Sequence, residues 1–205
     1  MKNNIMEQVT GVNFKSEYEE EINKITYYKI KKWLEHQIFK AKKCIQKIQQ
    51  VCEVYFEPQK TRLGQEQFYI SICQGEDGLV FLLKKRIVVE NAVNERFSKI
   101  SKGQFSSFVN GSFDESESDD LVFEFCQKAR IEELKASYSC HFEREEYIFK
   151  RSNVYLTIDK NMEIQPLGES KALPFKKNGC RMRLKSYGSE NEFNSMKTRL
   201  LTVCG

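Results

Sequence analysis

The chain has 205 residues, 40% hydrophobic and 30% charged, enough apolar material for one sizeable core. Thirty-three basic residues against 29 acidic ones leave a net charge of only +4, which argues against a dedicated nucleic-acid binder with a concentrated basic face. Seven scattered cysteines without a CxxC, and two distant histidines, support neither a disulfide framework nor a zinc site; free thiols in a reducing cytoplasm fit better.

Residues 1–13 lack a hydrophobic signal core and read as a loose terminus, leaving 14–205 as a single domain. Phe14–Ile22 alternates as a first strand, with Phe14, Ser16, Tyr18 and Glu20 on one face and Lys15, Glu17, Glu19 and Glu21 on the other. Thr26 is placed to cap a helix from Tyr27 to Gln50, in which Ile30, Trp33, Leu34, Ile38, Ala41, Ile45 and Ile48 recur at helical spacing. The other face of that helix carries Lys29, Lys31, Lys32, Lys40, Lys42, Lys43 and Lys47, suited to a polyanion or an acidic membrane, or simply solvated.

Val51–Glu57 reads as a strand stopped by Pro58. Glu66–Gln74 sets Phe68, Ile70 and Ile72 against Gln67, Tyr69, Ser71 and Cys73, and the turn Gly75-Glu76-Asp77-Gly78 returns it into Leu79–Val89 as a hairpin. The longest apolar run, Leu79–Leu83, is too short to span a bilayer. Glu90–Ser98 adds a strand, Ser101 caps a short helix ended by Asn110-Gly111, and Ser112–Asp120 is an acidic, serine-rich loop. A helix over Leu121–Leu134, strands over Tyr138–Phe149 and Asn153–Thr157, a loop over Pro166–Gly179, a strand over Cys180–Tyr187 and a helix over Glu192–Val203 complete the chain.

Charge inside the late strands carries the functional reading. Phe142, Arg144 and Glu146 share one face, with Cys140 further along it. A strand that only covers a core keeps its charge on the wet face. Arginine and glutamate among apolar neighbours suggest a sheet curled around a polar, ligand-holding interior, the plainer alternative being an edge strand with solvated charges. Arg181, Arg183 and Lys185 also share a face, either on a tunnel wall or as solubilising charges. Seven or eight strands in hairpin order, with three or four helices and no βαβ rhythm, give an α+β fold. No spacing suggests a Ser-His-Asp or Cys-His arrangement or a Gly-rich phosphate loop.

The succession of parts resembles a known family. A charged strand with Tyr18-Glu19 precedes a long helix, a strand through Val54-Tyr55-Phe56, a hairpin ending in lysines, and Arg96-Phe97 before a helix. Phe142-Glu143-Arg144-Glu145-Glu146-Tyr147, Val154-Tyr155-Leu156-Thr157-Ile158-Asp159 and a last strand ending in Lys185 follow. This order resembles the VTC domain, the polyphosphate-polymerase branch of the CYTH-like triphosphate tunnel superfamily, over residues 14 to 187. Its most specific part, Phe142–Asp159, is similar to the family's Y-x-R-x-A-[FY] … V-R-[IL]-[ST]-[IL]-D. The resemblance implies an antiparallel β-barrel of the triphosphate tunnel type with flanking helices, lined by inward lysine and arginine, and a ligand that is inorganic polyphosphate or a nucleoside triphosphate. Lys84, Arg96, Arg144 and Lys185 fall on the family's phosphate-binding positions, Asp159 closes the same strand, and Glu19 fits the metal-holding carboxylate. An active member would be a metal-dependent, nucleotide-using phosphotransferase with manganese or magnesium.

Departures are many. The family's R-x-R falls on Tyr69 and Ser71, its first-strand basic residues on Glu20 and Glu21, and the arginine of V-R-[IL]-[ST] on Tyr155. Carboxylates expected beside Lys84 and Lys185 fall on Leu82 and Arg183. About half of the family's phosphate-binding side chains are thus replaced, each worth about 1.5–3 kcal/mol, so the expectation is ligand binding with reduced or lost catalysis. The alternative is a non-catalytic interaction or regulatory module that presents the basic helix face to a protein partner. The expected location is the cytoplasm, or the cytosolic face of a membrane reached through a partner.

Overall fold

Two short segments, nearly continuous in sequence, sit at opposite edges of the sheet. The computed structural model describes residues 12–14, 16–40, 44–58, 66–75, 78–89, 92–114, 119–149, 153–168, 173–188 and 190–204. β1 (Val12–Phe14) is separated from β2 (Ser16–Ile22) by one residue. Between them in space run β6 (Ala92–Ile100), β5 (Gly78–Val89), β4 (Glu66–Gly75), β3 (Cys44–Pro58), β7 (Leu134–Phe149), β8 (Val154–Pro166) and β10 (Cys180–Ser186), in that order and all antiparallel. The two-residue β9 (Phe175–Lys176) pairs with β8. Because β1 lies on one edge and β2 on the other, chain continuity forces the sheet to curl until its edges approach. Ion pairs cross the gap: Arg86 of β5 reaches Glu17 of β2 at 2.9 Å, and Lys185 of β10 reaches Glu95 of β6 at 2.8 Å. The expected α+β fold with a curled antiparallel barrel is observed.

Helices cover the outer face in two groups. α1 (Lys24–Glu35), continued by a π turn over His36–Lys40, and α4 (Glu190–Cys204) cover β7, β8 and β10. Tyr27, Ile30 and Leu34 of α1, and Phe193, Met196 and Leu200 of α4, fall at helical spacing and pack on Tyr147, Leu156, Ile158, Met182 and Leu184. α2 (Lys102–Val109) and α3 (Asp120–Ile131) cover β3 to β6, where Phe125 sits between Phe56, Phe68 and Phe108. Ser101 and Gln104 close a reciprocal capping box on α2, and the Asp119 carboxylate accepts from the Leu121 and Val122 amides to start α3. Gly179 is required before β10: its φ is +107°, and a Cβ there would lie 2.9 Å from the Ile22 carbonyl oxygen.

Two sequence readings are corrected. α1 begins three residues earlier than expected, capped by the Asn23 side chain, which accepts from Thr26 N at 2.9 Å. It also ends at Glu35, and Cys44–Gln50, read as helix, is strand paired with β7 from Cys44↔Phe149 to Gln50↔Glu143. Apolar spacing over Ile38–Ile48 suits a helix locally, but fifteen residues of ladder against β7 override that weak preference. The continuous basic helix face therefore does not form. Lys29 and Lys32 lie exposed on α1, Lys31 turns to Glu145, and Lys47 is on a strand, while Lys42 and Lys43 lie outside the described residues. Of the acidic loop, residues 115–118 also lie outside the described residues. No helix among the described residues is long and apolar enough to cross a membrane.

Candidate functional site

Strand alternation decides which side chains enter the barrel. Successive residues point to opposite faces, and the helix-covered face is fixed by its apolar contacts, so the intervening residues line the interior. On β7 and β8 these are Arg144, Glu146, Tyr155, Thr157 and Asp159. On β10 and β2 they are Arg181, Arg183 and Lys185, facing Glu21, Glu19 and Glu17 in register. On β3 and β4 they include Glu53, Tyr55, Tyr69 and Ser71, and on β5 and β6 Lys84, Arg86 and Glu95. Asn161, at φ 56°, breaks the alternation of β8 so that Met162, three residues beyond Asp159, also packs inside.

Part of the interior is apolar. Val51, Tyr55, Tyr69, Cys140, Phe142 and Met162 form one cluster, with Tyr55 stacked between Tyr69 and Tyr138 at centroid distances of 5.2 and 4.7 Å. The guanidinium groups of Arg144 and Arg181 lie over the Phe142 ring, at 4.9 and 5.5 Å.

Beside this cluster three arginines converge on one carboxylate. Asp159, 0% exposed, accepts from Arg144 Nε at 2.7 Å and Nη2 at 3.0 Å, from Arg181 Nη2 at 2.8 Å and from Arg183 Nη2 at 2.7 Å. Burial pushes its pKa up, but the Arg144, Arg183 and Arg181 charges outweigh that and hold it far below the usual carboxylate range. Glu53 shares the cations, 3.4 Å from Arg144 and 3.7 Å from Arg181, and takes the Tyr55 hydroxyl at 2.6 Å. Its pKa is lowered in the same way, burial being outweighed by Arg144, Arg183 and Arg181. Further along, Glu95 takes Lys185 and the Tyr69 hydroxyl; it is held well below the usual range by Lys185 and Lys84 against the opposing effect of burial. Burial dominates for Lys185 itself and lowers its pKa in spite of Glu95.

One end of the interior is left unsatisfied. Arg86 Nη2 donates to Glu17 Oε1 at 2.9 Å and lies 3.7 Å from Glu19 Oε2, which is also 4.0 Å from Arg183 Nε. Glu17 Oε2, Arg86 Nε and Arg183 Nε are all buried without a hydrogen-bond partner. The Glu17 and Arg183 side chains are 4% and 5% exposed, so these atoms call for a water or a bound group to satisfy them.

Of the sequence-predicted residues, Lys84, Arg144, Lys185 and Glu19 all face the interior. Lys84 projects from β5 with its ammonium 5.7 Å from the Tyr69 ring centroid and has no ion pair among the described residues. Arg96 does not join them. It pairs in register with Lys85 on the helix-covered face and donates to Glu124 of α3 at 3.0 Å, while its neighbours Glu95 and Phe97 point inward. A shift of one residue exchanges the faces of a strand, and Arg96 stands one position out of phase with the interior residues of β6. Glu53, Glu95 and Arg86 were not singled out as site residues from sequence; their one local signal is the period-two phase with Tyr55, Phe97 and Lys84.

Glu19 also fails to gather a metal centre. Among the described residues no three His, Cys, Asp or Glu side chains converge on one point. The guanidinium of Arg86 lies between the two carboxylates that could form a pair. A divalent cation bound to Glu19 Oε2 would sit at most about 6 Å from both Arg86 and Arg183. At an effective dielectric of about 20 each arginine would then repel it by about 5 kcal/mol. These residues do not fit a metal in this arrangement. Outside the barrel, Cys52 Sγ lies 3.7 Å from His141 Nε2, a pair the sequence spacing did not announce; burial raises the thiol to about 11, far from a reactive thiolate.

No known family matches the chain, and no curated protein matches it in sequence. Solved structures do match in shape. A proposed adenylate cyclase from Bacillus halodurans superposes with a TM-score of 0.62 at 13% identity, over 95% of this chain and 91% of that one. A proposed adenylyl cyclase from Hippeastrum with a dominant triphosphatase activity gives 0.54 at 10% identity, over 94% and 88%. The PH1012 protein of Pyrococcus horikoshii gives 0.53 at 12% identity, over 95% and 90%. At such identities the likeness is one of fold alone.

Proposed function

We propose that the barrel interior binds a triphosphate or polyphosphate chain, with catalysis reduced or lost relative to the tunnel enzymes it resembles. The observation that carries this reading is the convergence of Lys84, Arg86, Arg144, Arg181, Arg183 and Lys185 on one interior, with Lys84 outside any ion pair among the described residues and two guanidinium Nε atoms unpartnered. Arginine forks match the paired oxygens of a phosphoryl group, and a low-dielectric wall strengthens each contact. The shared fold of the Hippeastrum protein, whose dominant activity is triphosphatase, supports a triphosphate as the ligand class. VTC-like order over residues 14–187 extends it to inorganic polyphosphate.

Binding is favoured over turnover for an electrostatic reason. Phosphoryl transfer leans on a metal ion at the reacting phosphates and on a group that positions the nucleophile, and Glu17 and Glu19, bridged by Arg86, do not gather a metal. Here Asp159, Glu53, Glu95 and Glu17 are each committed to arginine or lysine. They aim the cations, and the one oxygen among them without a hydrogen-bond partner, Glu17 Oε2, is buried on a carboxylate already paired with Arg86. Tripolyphosphate titration by calorimetry tests the reading. Wild-type protein should bind at low salt, Lys84→Ala should weaken binding about tenfold or more at unchanged Tm, and Arg96→Ala should leave it unchanged. No binding by the wild type, or equal loss in the Arg96 and Lys84 variants, overturns it.

A further inference from the structure

The end of the barrel holding Glu17, Glu19, Arg86 and Arg183 has a charge arrangement opposite to the one its fold leads one to expect. Two glutamates two residues apart on β2 share the inner face, as a carboxylate pair for a divalent cation would. Into the space between them β5 projects Arg86, and β10 places Arg183 opposite Glu19 in register. We propose that Arg86 replaces the divalent cation at this end, and that the site takes a phosphate oxyanion directly, bridged between Arg86 and Arg183, without metal. This rests on the phosphate-binding reading above and specifies how the ligand is held.

Three observations converge on it. First, Glu17 and Glu19 are already matched by two guanidinium groups, Arg86 at 2.9 Å and 3.7 Å and Arg183 at 4.0 Å from Glu19, and Glu19, 40% exposed, is the carboxylate that an entering phosphate would displace. Second, the two unpartnered donors at this end are Arg86 Nε and Arg183 Nε, both buried; donors in that state call for an oxygen acceptor and repel a cation. Third, Arg183 cannot turn away to water, because its Nη2 is anchored to Asp159 at 2.7 Å and its side chain is 5% exposed. The remaining orphan, Glu17 Oε2, would accept from a protonated phosphate oxygen or from a water bridging to it.

The test separates this inference from the function it rests on. Full-length protein is titrated with sodium tripolyphosphate in EDTA and again in excess magnesium, and manganese binding is followed by electron paramagnetic resonance without phosphate. The expected result is the same affinity within about twofold in both buffers and no manganese uptake by the wild type. Arg183→Gln should weaken tripolyphosphate at least about tenfold in EDTA. Arg86→Gln combined with Arg183→Gln, which removes both repelling guanidinium groups, should gain manganese binding that a further Glu17→Gln removes again, while Arg86→Lys, which keeps the charge, should keep manganese out. Tripolyphosphate binding that needs magnesium leaves the function standing and overturns this inference, as does stoichiometric manganese binding by the wild type or none by the variant lacking both arginines. Absence of binding in both buffers sinks the function and the inference with it. Should the variant lacking both arginines fail to fold by circular dichroism, the wild-type titrations decide alone.

Discussion

Arg144 and Glu145 are adjacent on β7, yet one belongs to the barrel interior and the other to the interface with α1. Glu145, 0% exposed, accepts from Tyr27 at 2.8 Å, Lys31 at 3.1 Å, Lys160 at 2.7 Å and the Tyr147 hydroxyl. Asp159, equally buried, is held inside the barrel by three arginines, Arg144 among them. Both carboxylates are fully sealed and strongly acidic, but their partners differ in kind. Lysine and tyrosine bring single donors on flexible or distant stems, two of them from α1, so the Glu145 network fastens a helix to the sheet. Arginine brings a planar fork of fixed geometry, so the Asp159 network orients cations. A buried carboxylate can thus be a structural anchor or an aiming device, and the partner's geometry decides which.

The strongest way to break this contrast is Arg144→Ala. It strips both Asp159 and Glu53 of their shared guanidinium in a sealed site, and should cost about 3–5 kcal/mol in urea unfolding. A loss below about 1 kcal/mol would mean that Arg181 and Arg183 suffice. Glu145→Gln should cost less, about 2–3 kcal/mol, because one oxygen can still accept. It should leave tripolyphosphate affinity within about twofold, which separates anchor from aiming device.

Acid titration sharpens the same point. Burial raises the Glu145 pKa, but hydrogen bonds from Lys160, Tyr147, Tyr27 and Lys31 bring it down from 4.5 to about 2. A depressed folded pKa stabilises above the unfolded value, so this contribution, up to about 3 kcal/mol, is present above about pH 4.5 and vanishes as pH falls towards 2. Thermal unfolding across that window should drop steeply in the wild type and less so in Glu145→Gln. A smaller effect, about 1 kcal/mol with binding untouched, is expected for Tyr27→Phe, which removes one donor and keeps the ring packed under α1.

Much of the site was legible because a strand has period two. Arg144 follows from its phase with Phe142 and Glu146, and Lys185 from Arg181 and Arg183. Arg96 shows the limit: a shift of one residue sends the side chain to α3 in place of the interior. Ile45 and Ile48 show another, since their spacing satisfies a helix and only the β7 ladder makes them strand. Glu53 and Glu95 were invisible as site residues because their partners lie far off in sequence.

Composition and alternation by themselves determined that this chain forms antiparallel strands with charge on one face and apolar side chains on the other. Tertiary structure alone decided that the charged face turns inward and which cation meets which carboxylate. Arg144 and Glu53 are 91 residues apart, and Lys185 and Glu95 are 90 apart. No local periodicity encodes such pairs: the first exists only once β3 lies beside β7, and the second only once β1 and β2, neighbours in the chain, bring the two edges of the sheet together.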